Sequence, residues 1–253
     1  MLATRVIPVL LLRGAGLYKS LRFKKPKYVG DPLVALKIFN EKEVDEIIVL
    51  DTLASIEKRA PNFDLIEDMA SECFMPLAYG GGLTSLDQMR RLFHIGMEKV
   101  VVNTSAILNP KLISDAVNEF GRQSIVVSID VISKFMRGKR VCIEGGRRLI
   151  KESPIDVARK VEELGAGEII INSVDRDGTM SGYDLDLLKS VVDSVDVPVV
   201  ALGGAGNLSH FRDAVNIAGV SAVAAGSMFV FQGPHRAVLI NMPDRKDIER
   251  ALS

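Results

Sequence analysis

MPLAYGGGLTS (75–85) closes an apolar run with three glycines and a polar Thr-Ser step, and VPVVALGGAGNLS (197–209) repeats the plan in the other half of the chain. Downstream of each, GMEKVVVNTSAI (96–107) is matched by GVSAVAAGSMF (219–229). Both matches stand about 123 residues apart, roughly half the chain, which is the period two fused half-barrels would leave. Parallel α/β units resemble one another in any case, but two Gly-rich turns at one offset favour a true repeat.

These stretches belong to a longer alternation. The strand candidates are RVIPVLL (5–11), EIIVLD (46–51), PLAYG (76–80), KVVVNT (99–104), SIVVSID (124–130), EIIINSV (168–174), VPVVAL (197–202) and SAVAAG (221–226). Helical patterns lie between them, such as DPLVALKIFN (31–40), SLDQMRRLFHIG (85–96) and PIDVARKVEELG (154–165). Strand followed by helix, eight times over, predicts parallel pairing through right-handed crossovers. At 253 residues a closed (β/α)8 TIM barrel fits better than an open doubly wound sheet. No linker or low-complexity segment interrupts the pattern, so residues 1–253 read as a single barrel domain.

Charge narrows the function. Lys plus Arg equals Asp plus Glu at 32 each, which leaves no electrostatic footprint for nucleic acid or an anionic membrane surface. The apolar run from Val6 to Leu12 is broken by Pro8, preceded by the single basic Arg5 and followed by Arg13, too short for a membrane span and unlike a signal peptide. Cys73 and Cys142 lack metal-ligand or redox spacing, and His94, His210 and His235 fall at no metal spacing either. His94 reads as a helix residue and His210 as one near a helix start. The expectation is a cytoplasmic protein without metal, cofactor or disulfide.

Strand parity then sorts side chains into inside and outside. One face carries Arg5, Ile7, Val9 and Leu11; its counterparts are Glu46, Ile48 and Leu50, then Lys99, Val101 and Asn103. Further on come Ser124, Val126, Ser128 and Asp130, then Glu168, Ile170 and Asn172. If these faces point inward, Arg5, Glu46, Lys99 and Glu168 surround the N-terminal mouth as two cations and two anions. Strand ends are wet and often charged, but balanced signs at inward parity suggest a self-satisfying ion-pair ring.

At the C-terminal ends, where such barrels do their chemistry, stand Asp51, Asp130, Asp175 and Asp177. Each suits either acid–base work or the capping of a turn, and Asp130 stands out for its inward parity. The turns Gly80–Gly82 with Asn103 and Thr104, and Gly203, Gly204 and Gly206 with Gly226 and Ser227, are plain turn chemistry or anion sites. Related by the repeat, they suggest an elongated ligand with a phosphate at each end.

These residues resemble the cyclase subunit family of imidazole glycerol phosphate synthase, the histidine-pathway lyase that works with a glutaminase subunit. The matching stretches are MLATRVIP (1–8), GDP (30–32), LDTLASIEKR (50–59), GGG (80–82), GAGEIIINSVDRDGTMSGYD (165–184) and GGAG (203–206), within a resemblance running from Met1 to about Phe231. It implies a barrel that takes up ammonia through its N-terminal mouth, where the glutaminase docks, and passes it to a bisphosphorylated ribonucleotide on the C-terminal face. Arg5, Glu46, Lys99 and Glu168 match the family's ammonia gate, and Asp130 matches its second catalytic aspartate. Lys19, Asp51 and Asp177 match substrate-face residues; Gly81, Gly82, Asn103, Thr104, Gly178, Gly203, Gly204, Gly226 and Ser227 match phosphate-binding positions.

The departures are as informative. The family's first catalytic aspartate falls on Leu11, a loss that removes a proton donor and acceptor worth about a hundred- to ten-thousand-fold in rate. RGAGLYKSLRF (13–23) differs from the family's loop; Val101 and Ala78 replace small polar residues beside the channel; Glu98 stands for an aspartate near the glutaminase; Leu202 replaces a serine. The tail FVFQGPHRAVLINMPDRKDIERALS (229–253) also differs, and its apolar AVLIN suits either a cover for the barrel or a contact with another protein. This pattern resembles a paralogous branch associated with surface-polysaccharide genes. There the barrel passes ammonia on for amidation of a nucleotide-linked sugar, with an amidotransferase or ligase as third partner. The alternatives are a genuine cyclase relying on Asp130 with Asp51 or Asp177, a sugar-phosphate isomerase of the related half-barrel family, and a catalytically silent scaffold that activates the glutaminase.

Overall fold

The computed structural model describes residues 4–135 and 138–252. Met1–Ala3 of the MLATRVIP stretch, residues 136–137 and the last residue of the 1–253 span lie outside the described residues.

Eight strands form the barrel: β1 (Arg5–Arg13), β2 (Ile47–Asp51), β3 (Leu77–Gly80), β4 (Lys99–Val102), β5 (Ile125–Lys134), β6 (Glu168–Ser173), β7 (Val199–Leu202) and β8 (Ala222–Ala225). Each pairs in parallel with the next, and β8 pairs with β1 through Arg5↔Ala222 to close the ring. The helices between them are α1 (Pro32–Glu41), α2 (Phe63–Glu72), α3 (Leu86–Ile95), α4 (Lys111–Phe120), α5 (Pro154–Glu163), α6 (Leu185–Val192), α7 (Leu208–Asn216) and α8 (Arg245–Leu252). The fold is the (β/α)8 barrel read from the sequence.

Local chemistry starts and stops these helices where the tertiary structure needs them. Asp31 caps α1 by accepting from the backbone N–H groups of Leu33 and Val34, ahead of Pro32, whose missing N–H costs nothing at the first helical position. Ser153 and Asp156 form a reciprocal capping box on α5, and Gly96 ends α3 at φ +114°.

Parity divides the apolar residues into two layers, as the period-2 reading predicts. Ile7, Val9, Ile48, Ala78, Val101, Val126, Ile170, Val200, Leu202, Ala222 and Ala224 fill the bore, with Leu11 and Leu50 packed against them. The alternate residues, such as Val6, Leu10, Val49, Val100, Val127 and Ile169, meet the helices. Leu11 lies directly opposite Leu50 in the β1–β2 register.

Three readings need correction. β1 runs on to Arg13 and continues as an antiparallel ribbon, Gly16–Leu21 with Lys24–Gly30. β5 likewise extends to Lys134 and pairs with Gly138–Ile143, which pairs with Arg148–Leu149. Both ribbons stand above the C-terminal rim; Lys24–Gly30 and Arg148–Leu149 are largely exposed, while Leu17, Lys19 and Val141–Ile143 are buried in short stretches mixed with Lys, Arg and Gly that carry no sustained apolar alternation. Several sequence boundaries also move: Glu46 precedes β2, Ser124 sits in a 3-10 turn (Arg122–Ser124), and Asn103 precedes a short helix, Thr104–Leu108.

In the tail, Phe231–Gln232 pairs with Ala237–Val238, and α8 packs beside α7. Of AVLIN, Ile240 packs on the core, while Val238 and Leu239 are exposed. Among the described residues no helix is long and apolar enough to cross a membrane, and no group of His, Cys, Asp and Glu is arranged to hold a metal.

Candidate functional site

At the N-terminal mouth the four charges meet. Arg5 donates to the carboxylates of Glu46 and Glu168, and Lys99 reaches the same two acids from the other side. Its Nζ lies 3.0 and 2.9 Å from the two oxygens of Glu46 and 3.1 Å from Glu168 Oε2. The signs alternate around a closed ring, so each buried anion has two cationic partners, the condition under which ions leave water without prohibitive cost. Burial works against the Arg5 charge, but Glu168 and Glu46 outweigh it and hold the guanidinium above its usual range. This square covers the foot of the apolar bore.

The other end of the bore opens into a cavity of about 240 Å³ at the C-terminal ends of the strands. Asp130, on β5, lies at its inner end and is 9% exposed. Asn172 Nδ2, from β6, donates to its Oδ1 at 2.9 Å, and Asn103 Nδ2 donates to its Oδ2 at 3.2 Å. Asn103 also donates to the Ser128 carbonyl at 2.9 Å. Burial pushes the Asp130 carboxyl up to about 7; Asn172 resists this, the negative charge of Asp177 adds to it, and Asn103 resists it again. A carboxyl poised there exchanges a proton near neutrality.

Lys19 comes in from the ribbon. Its Nζ donates to the Val9 carbonyl at 2.5 Å, and it lies so close to Gly226 that a Cβ there would stand 2.2 Å away. Burial lowers the amine to about 8, against the pull of Asp177. Burial raises Asp177 in turn, opposed by Lys19 and by hydrogen bonds from Ser20 and the Phe23 backbone. Asp51 is differently employed. Its Oδ1 accepts from Leu53 N at 3.0 Å, Ala54 N at 3.1 Å and Arg59 at 2.9 Å, while Oδ2 pairs with Arg59 at 2.8 Å. It caps a turn and anchors an arginine while still lining the cavity.

A family model described as "Histidine biosynthesis protein" matches residues 5–235. A Pseudomonas aeruginosa protein provisionally named imidazole glycerol phosphate synthase subunit hisF2 is 50% identical over 244 residues, covering 96% of this chain and 97% of its own. A provisionally named HisF subunit of Leptospira borgpetersenii is 49% identical over 251 residues, 98% of each chain. Imidazole glycerol phosphate synthase subunit HisF of Alkaliphilus metalliredigens is 39% identical over 229 residues, covering 90% of this chain and 91% of its own. The chain belongs to the HisF family of histidine biosynthesis proteins.

In this HisF-family barrel, Asp130, Lys19, Asp51, Asp177, Gly81, Gly82, Asn103, Thr104, Gly226 and Ser227 all line the one cavity, together with Leu11. Gly178, Gly203 and Gly204 do not line it. Gly204 accepts a hydrogen bond from Gly182 at 2.8 Å, so that turn is closed over by the loop after β6. Gly178, at φ +71°, lies against the ribbon, where a Cβ would stand 2.1 Å from the Ser20 carbonyl. His94 is in α3 and exposed; His210 is in the first turn of α7, where its Nδ1 accepts from Gly206 N at 3.1 Å.

Sequence reasoning placed Asn172 and Ser128 inside by parity without giving either a role. Arg13, Tyr18 and Arg147 also line the cavity. They stand at the end of β1 or on the two ribbons, whose polar sequences carry no signal that they fold over a barrel mouth.

Proposed function

We propose that this chain is the barrel subunit of an imidazole glycerol phosphate synthase-type complex that receives ammonia from a separate glutamine-hydrolysing subunit. It passes that ammonia on for amidation of a nucleotide-linked sugar, such as an O-antigen precursor. The glutaminase docks on the N-terminal face, over the ring of Arg5, Glu46, Lys99 and Glu168, and an amidotransferase or ligase takes the ammonia on the other side. The observation that carries this reading is Leu11. It occupies the position of the family's first catalytic aspartate, packed against Leu50 at the top of an apolar bore, and leaves the cavity without that second proton-transfer group.

Val101 and Ala78 support the same reading, since they extend the apolar lining of the bore where the family carries small polar residues. The cytoplasm, with its supply of glutamine, is the compartment this reading requires. The phosphate-type turns suit a phosphorylated small molecule or anions on the C-terminal face.

Asp130 favours a second reading, that of a genuine cyclase and lyase of histidine biosynthesis, because a carboxyl titrating near 7 is fitted to acid–base work. The test is turnover of the family's ribonucleotide substrate by the purified chain with excess ammonium at alkaline pH, which removes any need for glutaminase. No consumption by folded protein is expected. Consumption at the rate of a working cyclase overturns the conduit reading in favour of the second.

A further inference from the structure

The balance of 32 Lys and Arg against 32 Asp and Glu is an average over an uneven molecule. Residues 13–30 and 134–149, the stretches that supply the two ribbons, hold 12 of the Lys and Arg and one acid, Glu144; the rest of the chain carries 20 cations against 31 anions. The fold brings this charge to one face, because the ribbons meet above the C-terminal rim, where the Phe23 ring lies 3.4 Å from the place a Cβ on Gly146 would take. The cavity uses few of these cations. Arg13, Lys19 and Arg147 line it, and Lys139 is paired with Asp184 at 2.6 Å. Arg22, Lys24, Lys25 and Lys134 are exposed and make no ion pair among the described residues.

The same face exposes apolar side chains at its two turns. Leu21, paired with Lys24 across the turn of the first ribbon, is 40% exposed. Phe135, next to the Lys134–Gly138 pair that closes the second, is 94% exposed. Each follows or precedes a cation in the chain, Phe135 after Lys134 and Leu21 before Arg22. Protein interfaces gather their apolar residues into a dehydrated core and are depleted in lysine, whose long side chain loses rotamer freedom when it is fixed. Mobile anionic headgroups attract lysines without fixing them, and single apolar side chains at the same level enter the acyl boundary one by one. Isolated apolar tips among unpaired lysines therefore match a lipid surface rather than a protein.

We propose that the ribbon face docks on the surface of an anionic bilayer, with Arg22, Lys24, Lys25 and Lys134 in the headgroup layer and Leu21 and Phe135 at the acyl boundary. The inference does not rest on the ammonia-receiving role. It adds where the C-terminal mouth of the barrel works, which is at a membrane surface.

The test is sedimentation of the full chain with vesicles of equimolar phosphatidylglycerol and phosphatidylcholine, and with vesicles of phosphatidylcholine alone, over a range of potassium chloride concentrations. Binding to the anionic vesicles is expected, weakening as salt screens the charges, with none to phosphatidylcholine. Lys24→Gln combined with Lys25→Gln should weaken it about 25-fold, at about five-fold per lysine, the equivalent of about 1 kcal/mol each. Phe135→Ser should weaken it about five-fold. Phe74→Ser removes a similarly exposed ring from the loop before β3, at the opposite end of the barrel, and should leave binding unchanged. All four positions are exposed, so thermal unfolding of the variants should match wild type. No binding to the anionic vesicles overturns the proposal and leaves the face to an acidic protein. Equal binding to both kinds of vesicle, or an equal loss with Phe74→Ser, overturns it as adsorption without a docking face. Weakening by the lysine pair alone, with Phe135→Ser binding as wild type does, also overturns it: the face then takes any polyanion.

Discussion

Asp130→Asn should change how stability depends on pH, and the structure sets both the sign and the size. The carboxyl is raised from its ordinary 3.8 to about 7 in the folded chain, so the native state binds this proton more tightly than the unfolded state does. The stabilisation is fully present below about pH 4, declines as pH rises, and is gone once pH has passed about 7. At about 1.36 kcal/mol per decade of affinity, the interval corresponds to about 4 kcal/mol. The substitution keeps the shape and is neutral throughout; its NH2 replaces an oxygen that accepts from Asn172 or Asn103, a mismatch that costs the same at every pH and cancels in the comparison between pH values. Urea unfolding of both proteins at about pH 4.5 and about pH 8 should therefore show the variant gaining about 3–4 kcal/mol relative to wild type across that range, with unchanged m values. Other titrating groups, Lys19 and Asp177 included, are common to both proteins and largely cancel in the difference. Parallel stability curves would refute the claim that Asp130 is a carboxyl kept protonated by burial.

Lys99→Met leaves Glu46 and Glu168 with Arg5 as their remaining partner in the ring, and should cost about 2–4 kcal/mol in urea unfolding. Glutamine-dependent ammonia delivery should change with it, and an unchanged rate would remove the gate role from Lys99. Gly178→Ala places a side chain 2.1 Å from the Ser20 carbonyl in a left-handed conformation, and should lower the Tm by at least about 4 °C, read by calorimetry. Leu11→Asp returns a carboxyl to the cavity; ammonium-dependent turnover of the ribonucleotide should rise at least about a hundred-fold, and no rise would mean that Leu11 is not what silences the cyclase reaction.

Much of this was legible in the chain itself. Eight β-branched runs with helical segments between them imply a parallel barrel, and the matched turns at 75–85 and 197–209 imply its half-barrel repeat. Parity then separated Ile7, Val9 and Leu11 from Val6, Leu10 and Leu12, and brought Arg5, Glu46, Lys99 and Glu168 to one mouth. That works because alternation is a property of a single strand: it needs no knowledge of what lies across the barrel. The place of Leu11, facing the bore at the cavity end of β1, was legible for the same reason.

What only the tertiary structure decided depends on distances between strands. Asp51, Asp130 and Asp177 look alike in sequence. Folding gives Asp51 to Arg59 and two backbone N–H groups, sets Asp177 beside Lys19 and Ser20, and leaves Asp130 buried between two asparagines. Asn103 reads from sequence as part of an anion turn, yet in the fold its amide is committed to Asp130 and the Ser128 carbonyl. The ribbons that roof the cavity are likewise products of packing. A strand's sequence determines which way its side chains point; which partners they meet, and so which acid keeps its proton, is determined by the neighbouring strands that closure brings alongside.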